Sequence, residues 1–219
     1  MSTRAPAWVA AGVRHEILMR VLPALRHDMA GPLSVARMGN TVLKRYMAAQ
    51  PFDPEQSHKR LEQTEEQLNQ LLVAIRTLNR WDLDTSERAD AAPAVRAGLE
   101  LARPMLDLHG IAMDAVPEDA TPADWPAMSP ARALYAVIGV ASCLQDTATG
   151  PAALSVRCDG SDLLFTTRPR DGAAADEPQF PARRMKIDAD ALSTLLADLQ
   201  WPADIAPGTV RLRRPDDGR

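Results

Sequence analysis

His27 is followed at once by Asp28, and the run His27-Asp28-Met29-Ala30-Gly31-Pro32-Leu33 lies inside a long segment of helical periodicity. On a helix, the neighbours three and four residues from His27 are Pro23, Ala24, Ala30 and Gly31, with Ser34 two turns ahead. These side chains are small, so Ala24, Ala30, Gly31 and Ser34 are the expected docking surface for a protein that must reach the ring. A neutral imidazole is a nucleophile at neutral pH, and the chemistry expected of His27 is acceptance of a phosphoryl group. Asp28 is the expected second catalytic residue. A carboxylate there can accept a hydrogen bond from the other ring nitrogen and steady the positive charge that develops; its plain alternative is an exposed helix acid.

The elements that position this ring follow from the flanking pattern. Leu18, Leu22, Leu25, Met29, Pro32, Ala36, Gly39, Leu43 and Tyr46 recur in alternating steps of four and three, a heptad stripe facing another helix. His27 lies between Leu25 and Met29 and off that stripe, so it is expected to be exposed. His15, His58 and His109 lack such a setting and read as surface or packing residues. Pro23, Pro32 and Gly39 are poor helix formers at which bends are expected. Arg20, Arg26, Arg37, Lys44 and Arg45 read mostly as a solvated face, some of them able to steer an acidic partner.

Gln50-Pro51-Phe52-Asp53-Pro54 ends the first helix, and Asp53 or Ser57 caps the next, which is expected over about 55–81. There Leu61, Leu68, Ile75 and Asp82 are spaced by seven, with Leu71 and Leu78 between them. Two helices joined by a short loop make a hairpin, and pairing two hairpins across a twofold axis buries both stripes in a four-helix bundle. A homodimer is therefore expected.

After residue 84 alanine and proline become frequent. Helices are expected over 93–108, 130–144 and 189–199, the last capped by Asp188. A short strand is expected over 111–116 and a loop over 117–126. A β-hairpin is expected from 153–158 and 163–167 around Asp159-Gly160-Ser161-Asp162, and a closing strand over 208–213. The polar segment 168–184 is expected to be mobile, and a tail begins at Pro215. The fold class is α+β: a helical hairpin (1–84) forming a dimeric four-helix bundle, then a small α/β sandwich (85–219).

Composition limits the function. A net charge of −4 argues against nucleic acid as the main partner, because binding a phosphate backbone needs a basic surface. The longest uncharged apolar run, Ala133 to Leu144, is shorter than the about 20 residues that span a bilayer, so no membrane association is expected. Met1-Ser2-Thr3-Arg4 does not open a recognisable secretory leader, and Cys143 and Cys158 form no CxxC pair. Free thiols suit a reducing compartment, and the expected location is the cytoplasm.

A helix carrying His-Asp-x-x-x-Pro-Leu, a second helix and then an α/β sandwich is the element order of two-component histidine kinases. Through His27, Asp28, Pro32 and Leu33, the first 84 residues resemble their dimerisation and histidine-phosphotransfer domain. The remainder resembles the kinase ATP-binding domain only in its order of elements. Residues 131–147 stand where that family places a metal-binding asparagine, and they contain no Asn. Arg168-Pro169-Arg170-Asp171-Gly172 stands where an Asp-x-Gly-x-Gly loop grips adenine. Lys186-Ile187-Asp188-Ala189-Asp190 replaces the glycine-rich phosphate cradle, and its two acids repel a triphosphate where bare amides should attract one.

An intact acceptor helix beside a degenerate nucleotide domain is similar to the dimeric histidine phosphotransferases built from degenerate kinases. The resemblance implies a phosphorelay in which response-regulator receiver domains are the partners. It also implies that the chain needs no cofactor, the Mg²⁺ being carried by the receiver. Relatives that hydrolyse phospho-aspartate place Thr or Asn four residues after the histidine, where this chain has Gly31, so phosphatase activity by that route is not expected. The rival expectation is a non-catalytic pseudokinase that sequesters a receiver or pairs with a true kinase; an ATP-dependent kinase ranks last.

Overall fold

The computed structural model of the chain describes residues 4–49, 52–84, 86–117, 121–170 and 185–215. It is an α+β protein. The helices are α1 (Arg4–Ala48), α2 (Pro54–Leu78) with a 3₁₀ turn at Asn79–Trp81, α3 (Ala91–Asp107), α4 (Pro130–Thr147) and α5 (Ala189–Asp198). The strands are β1 (Ile111–Met113), β2 (Ala152–Asp159), β3 (Asp162–Pro169), β4 (Ala203–Ala206) and β5 (Thr209–Leu212). The segment 171–184, part of the stretch expected to be mobile, and the tail 216–219 lie outside the described residues.

The chain forms two compact units, one of Leu22–Asp82 and one of Met1–Val21 with Leu83–Arg219. One boundary falls between Asp82 and Leu83, and the first turns of α1 belong with the sheet. The cause is a second apolar stripe, Ala10, Val13, Ile17 and Val21, whose steps of three and four put it on one helical face; all four are buried. A helix expected from Leu18 thus begins at Arg4. It remains helical through Pro23 and Pro32.

In the larger unit the sheet order is β1-β2-β3-β5-β4, with β1 parallel to β2 and the other pairs antiparallel. Period-two alternation divides its faces. Val156, Phe165 and Val210 sit in register on the buried face, as do Met113 and Leu154. The opposite face carries Ser155, Thr166 and Thr209 in one row, and Arg211 bonded to Asp159 and Asp162. The Arg211 guanidinium holds the Asp159 carboxyl below its ordinary range. α3 packs on α4 and β1, and α5 on α4 and β4. Gly98 lets α3 close on α4, since a Cβ there would stand 3.3 Å from Val137.

Most elements follow local signals. Asp53 accepts from the Gln56 amide at 3.0 Å ahead of Pro54, Asp90 caps α3, and Asp188 caps α5 by accepting from Ala191 at 2.9 Å. Gly160 opens the β2–β3 turn with φ +67°. The expected 111–116 strand stops at Met113. The short strand β4 has no counterpart in the sequence reading, although Pro207-Gly208, with Gly208 at φ +69°, marks its turn into β5.

Gln200 holds a left-handed conformation, φ +52°, at the end of α5. Its amide bonds to Ala197 and that of Trp201 to Leu196, a helix stop that usually uses glycine. Gln200→Gly removes the side-chain strain, partly offset by glycine's freer unfolded chain. A gain of about 0.5 kcal/mol is expected, read as a shift of the denaturation midpoint. An unchanged or lower midpoint contradicts this.

Candidate functional site

The smaller unit presents His27 from the middle of α1. Its side chain is 89% exposed, as its place off the Leu25–Met29 stripe requires. The stripe itself is the shielded side of α1: Leu25 and Ala36 are buried and Met29, Pro32, Gly39, Leu43 and Tyr46 are partly covered. At Gly39 α1 and α2 come close, for a Cβ there would stand 2.8 Å from the Thr64 hydroxyl.

Around the ring the expected docking residues are placed as follows. Ala24 is half-buried one turn before His27, while Ala30, Gly31 and Ser34 are exposed after it. The Ser34 hydroxyl donates to the Ala30 carbonyl at 2.8 Å and is held against its own helix. A Cβ added at Gly31 meets nothing within 4 Å, so the surface beside the imidazole is bare backbone open to solvent. Pro32 has no N–H to give the Asp28 carbonyl.

Asp28 is exposed, and its Oδ1 lies 3.9 Å from His27 Nδ1. That exceeds hydrogen-bond length, so the ring-orienting bond expected of Asp28 is not formed. Adjacent helical residues point about 100° apart, given 3.6 residues per turn, which keeps the two groups from closer approach. The other histidines fit their expected minor roles. His15 is exposed, His58 lies 3.3 Å from Glu62, and His109 Nδ1 is 2.9 Å from the Met105 carbonyl.

Two turns before His27 the sequence expectation needs correction. Arg20, read as part of a solvated face, has a fully buried side chain. Its guanidinium bonds both oxygens of Asp146, at 3.1 and 2.6 Å, and also Glu16 at 3.0 Å and the Met185 carbonyl at 3.0 Å. Asp146 further accepts from the Ile187 amide at 2.8 Å. Arg14 pairs with Asp198 on α5. At Gly139 of α4 the side chains of Ile17, Leu192 and Leu195 converge where a Cβ would be. The first half of α1 is thus clasped along the α4–α5 seam. The signal that could have revealed this was the Ala10-Val13-Ile17-Val21 repeat, which draws the neighbouring Arg20 inward.

α4 contains no asparagine, and at the start of α5 the Ala191 amide donates to the chain's own Asp188 carboxylate. Burial, with Asp146 and Asp188 nearby, pushes the Cys143 thiol up to about 11, so it is a protonated core group. Among the described residues no cluster of three His, Cys, Asp or Glu is arranged to hold a metal ion, and no helix is long and apolar enough to cross a membrane. No protein-family pattern matches the chain, and no curated protein matches it.

Proposed function

We propose that the chain is a homodimeric histidine phosphotransferase that relays a phosphoryl group between receiver aspartates through His27. The carrying observation is the 89% exposure of the His27 side chain beside the open backbone of Gly31. An imidazole nitrogen attacks the phosphorus of the receiver's aspartyl phosphate in line. A P–N bond forms as the P–O bond breaks, and the leaving carboxylate stays on the receiver. A second receiver's carboxylate reverses the step. The Mg²⁺ belongs to the receiver, and this chain supplies position and an uncovered nucleophile.

In this reading α1 and α2 form a hairpin, two hairpins form a four-helix bundle, and the sheet-bearing unit is a degenerate kinase domain. The Gly39–Thr64 approach supports the hairpin. The bundle is supported by Leu61, Leu68 and Ile75, a seven-residue apolar row that remains 45%, 45% and 46% exposed. The side of α2 that is shielded carries Ser57, Thr64 and Leu71. A second row of leucines left half wet on the same helix calls for a second hairpin. Loss of nucleotide binding is supported by the Asp188 cap and the missing asparagine of α4. A receiver charged on its aspartate is expected to label the chain within seconds to minutes. Stable receiver binding without any label contradicts the relay and leaves a sequestering pseudokinase.

Gly31 supplies a prediction with two readouts. Because a Cβ there is unobstructed, Gly31→Ala is expected to stabilise α1 by up to about 1 kcal/mol. The same methyl group stands where the receiver must approach, so transfer is expected to slow several-fold. A raised melting temperature with an unchanged transfer rate removes Gly31 from the docking surface.

A further inference from the structure

Strand β4 (Ala203–Ala206) ends the sheet and pairs only with β5. The Arg213 amide donates to the Pro202 carbonyl, so by alternation residues 202, 204 and 206 turn their ladder groups toward β5. Ala203 and Ile205 turn theirs outward, two N–H donors and two C=O acceptors on an unpaired edge. Their side chains share a face with Leu212 and Val210, their register partners, and α5 packs on β4 beside them. Between this edge and α5 runs an open groove of about 390 Å³, within the range of binding clefts. Leu196 and Trp201, both buried, sit deepest in it, with Ala197 on one side and Ile205 on the other. No ionisable side chain lines it. Gln200, held at φ +52°, borders the same groove, and backbone strain of that kind gathers at ligand clamps.

We infer that this edge and groove bind an extended peptide segment of a partner protein, which adds a short strand beside β4. The peptide residues opposite Ala203 and Ile205 are apolar and enter the groove beneath α5. The residue between them lies opposite Asp204, whose side chain is 52% exposed, and is uncharged or basic. The site lies wholly within the sheet-bearing unit, and its chemistry is independent of His27.

The open ladder groups select the occupant. Donors and acceptors alternating along a strand edge are matched by another main chain, and a compact apolar ligand would fill the groove yet leave them unpaired. A second copy of β4 fits poorly. The antiparallel register that bonds both outward residues sets Asp204 opposite its own counterpart, and like charges in facing positions destabilise a pair. Pro202 and Pro207 bracket the edge with no N–H to give, which keeps the added strand short.

The test uses the full chain and a displayed library of random heptapeptides, with the best binder remade as a synthetic peptide. Enriched sequences should carry apolar residues at alternate positions with no acid between them. The synthetic binder should slow hydrogen exchange at the Ile205 amide. N-methylation of its alternate amides, which removes ladder donors and keeps every side chain, should weaken binding at least about tenfold. Ala197→Trp, a change on the exposed side of α5 that fills the groove, should weaken binding as much; the N-methylated peptide makes the same test on the wild-type chain. A library that yields no binder overturns the inference. So does a binder that withstands N-methylation and leaves exchange at Ile205 unchanged, the behaviour of a ligand that fills the groove without pairing. Protection of the Ile205 amide that rises with protein concentration in the absence of peptide overturns it too, since the occupant is then a second copy.

Discussion

Arg20→Ala is expected to destabilise the sheet-bearing unit by about 3–5 kcal/mol, the range for removing one partner of a buried ion pair. The guanidinium is fully buried and makes four bonds, two of them to Asp146, so its loss strands a carboxylate that is itself only 9% exposed. It also loosens the first half of α1, whose remaining hold on α4 and α5 is the Ala10–Val21 stripe and the Arg14–Asp198 pair. Replacing both partners by apolar residues, Arg20→Met with Asp146→Leu, is expected to recover most of the loss, because no unpaired charge is then buried. Denaturation followed by Trp125 and Trp201, which pack edge-on at 5.3 Å in the same unit, gives both values. A single-variant loss below about 1 kcal/mol contradicts the clasp.

The second large effect is on activity alone. His27→Ala is expected to abolish transfer of phosphate from a charged receiver, a loss of more than about a thousandfold, because the acceptor atom is gone. Stability should stay within about 0.5 kcal/mol of wild type, since the side chain is 89% exposed and away from the stripe. Asp28→Asn is expected to be milder. At 3.9 Å the carboxylate makes no hydrogen bond to the ring. Equal losses in the two variants contradict this division of roles.

Which features were legible in the sequence follows from where their causes lie. Caps and turns are local, so Asp53, Asp188 and Gly160 announced their elements. The exposure of His27 followed from its position between Leu25 and Met29 on a heptad helix. The partners of the buried Arg20 were not legible, because Asp146 and Met185 lie more than a hundred residues away; only the Ala10–Val21 repeat beside it hinted at a buried face. The shielded side of α2 does not follow from its apolar repeat either. Leu61, Leu68 and Ile75 are its strongest apolar repeat, yet Ser57, Thr64 and Leu71 face inward. Small and hydroxylated side chains suit a close approach such as that at Gly39, and leave the larger residues for another surface. Strand β4 was missed because four residues with two alanines carry little β-propensity of their own.

The central claim is that His27 itself carries the phosphoryl group. Mapping the label after transfer from a charged receiver tests it most directly, by mass spectrometry at neutral pH and by the label's loss on acid treatment. The account predicts one phosphoryl group per chain on the His27 imidazole, labile in acid and stable in base. A label on His15, His58 or a carboxylate, or the same label retained in His27→Ala, would contradict it.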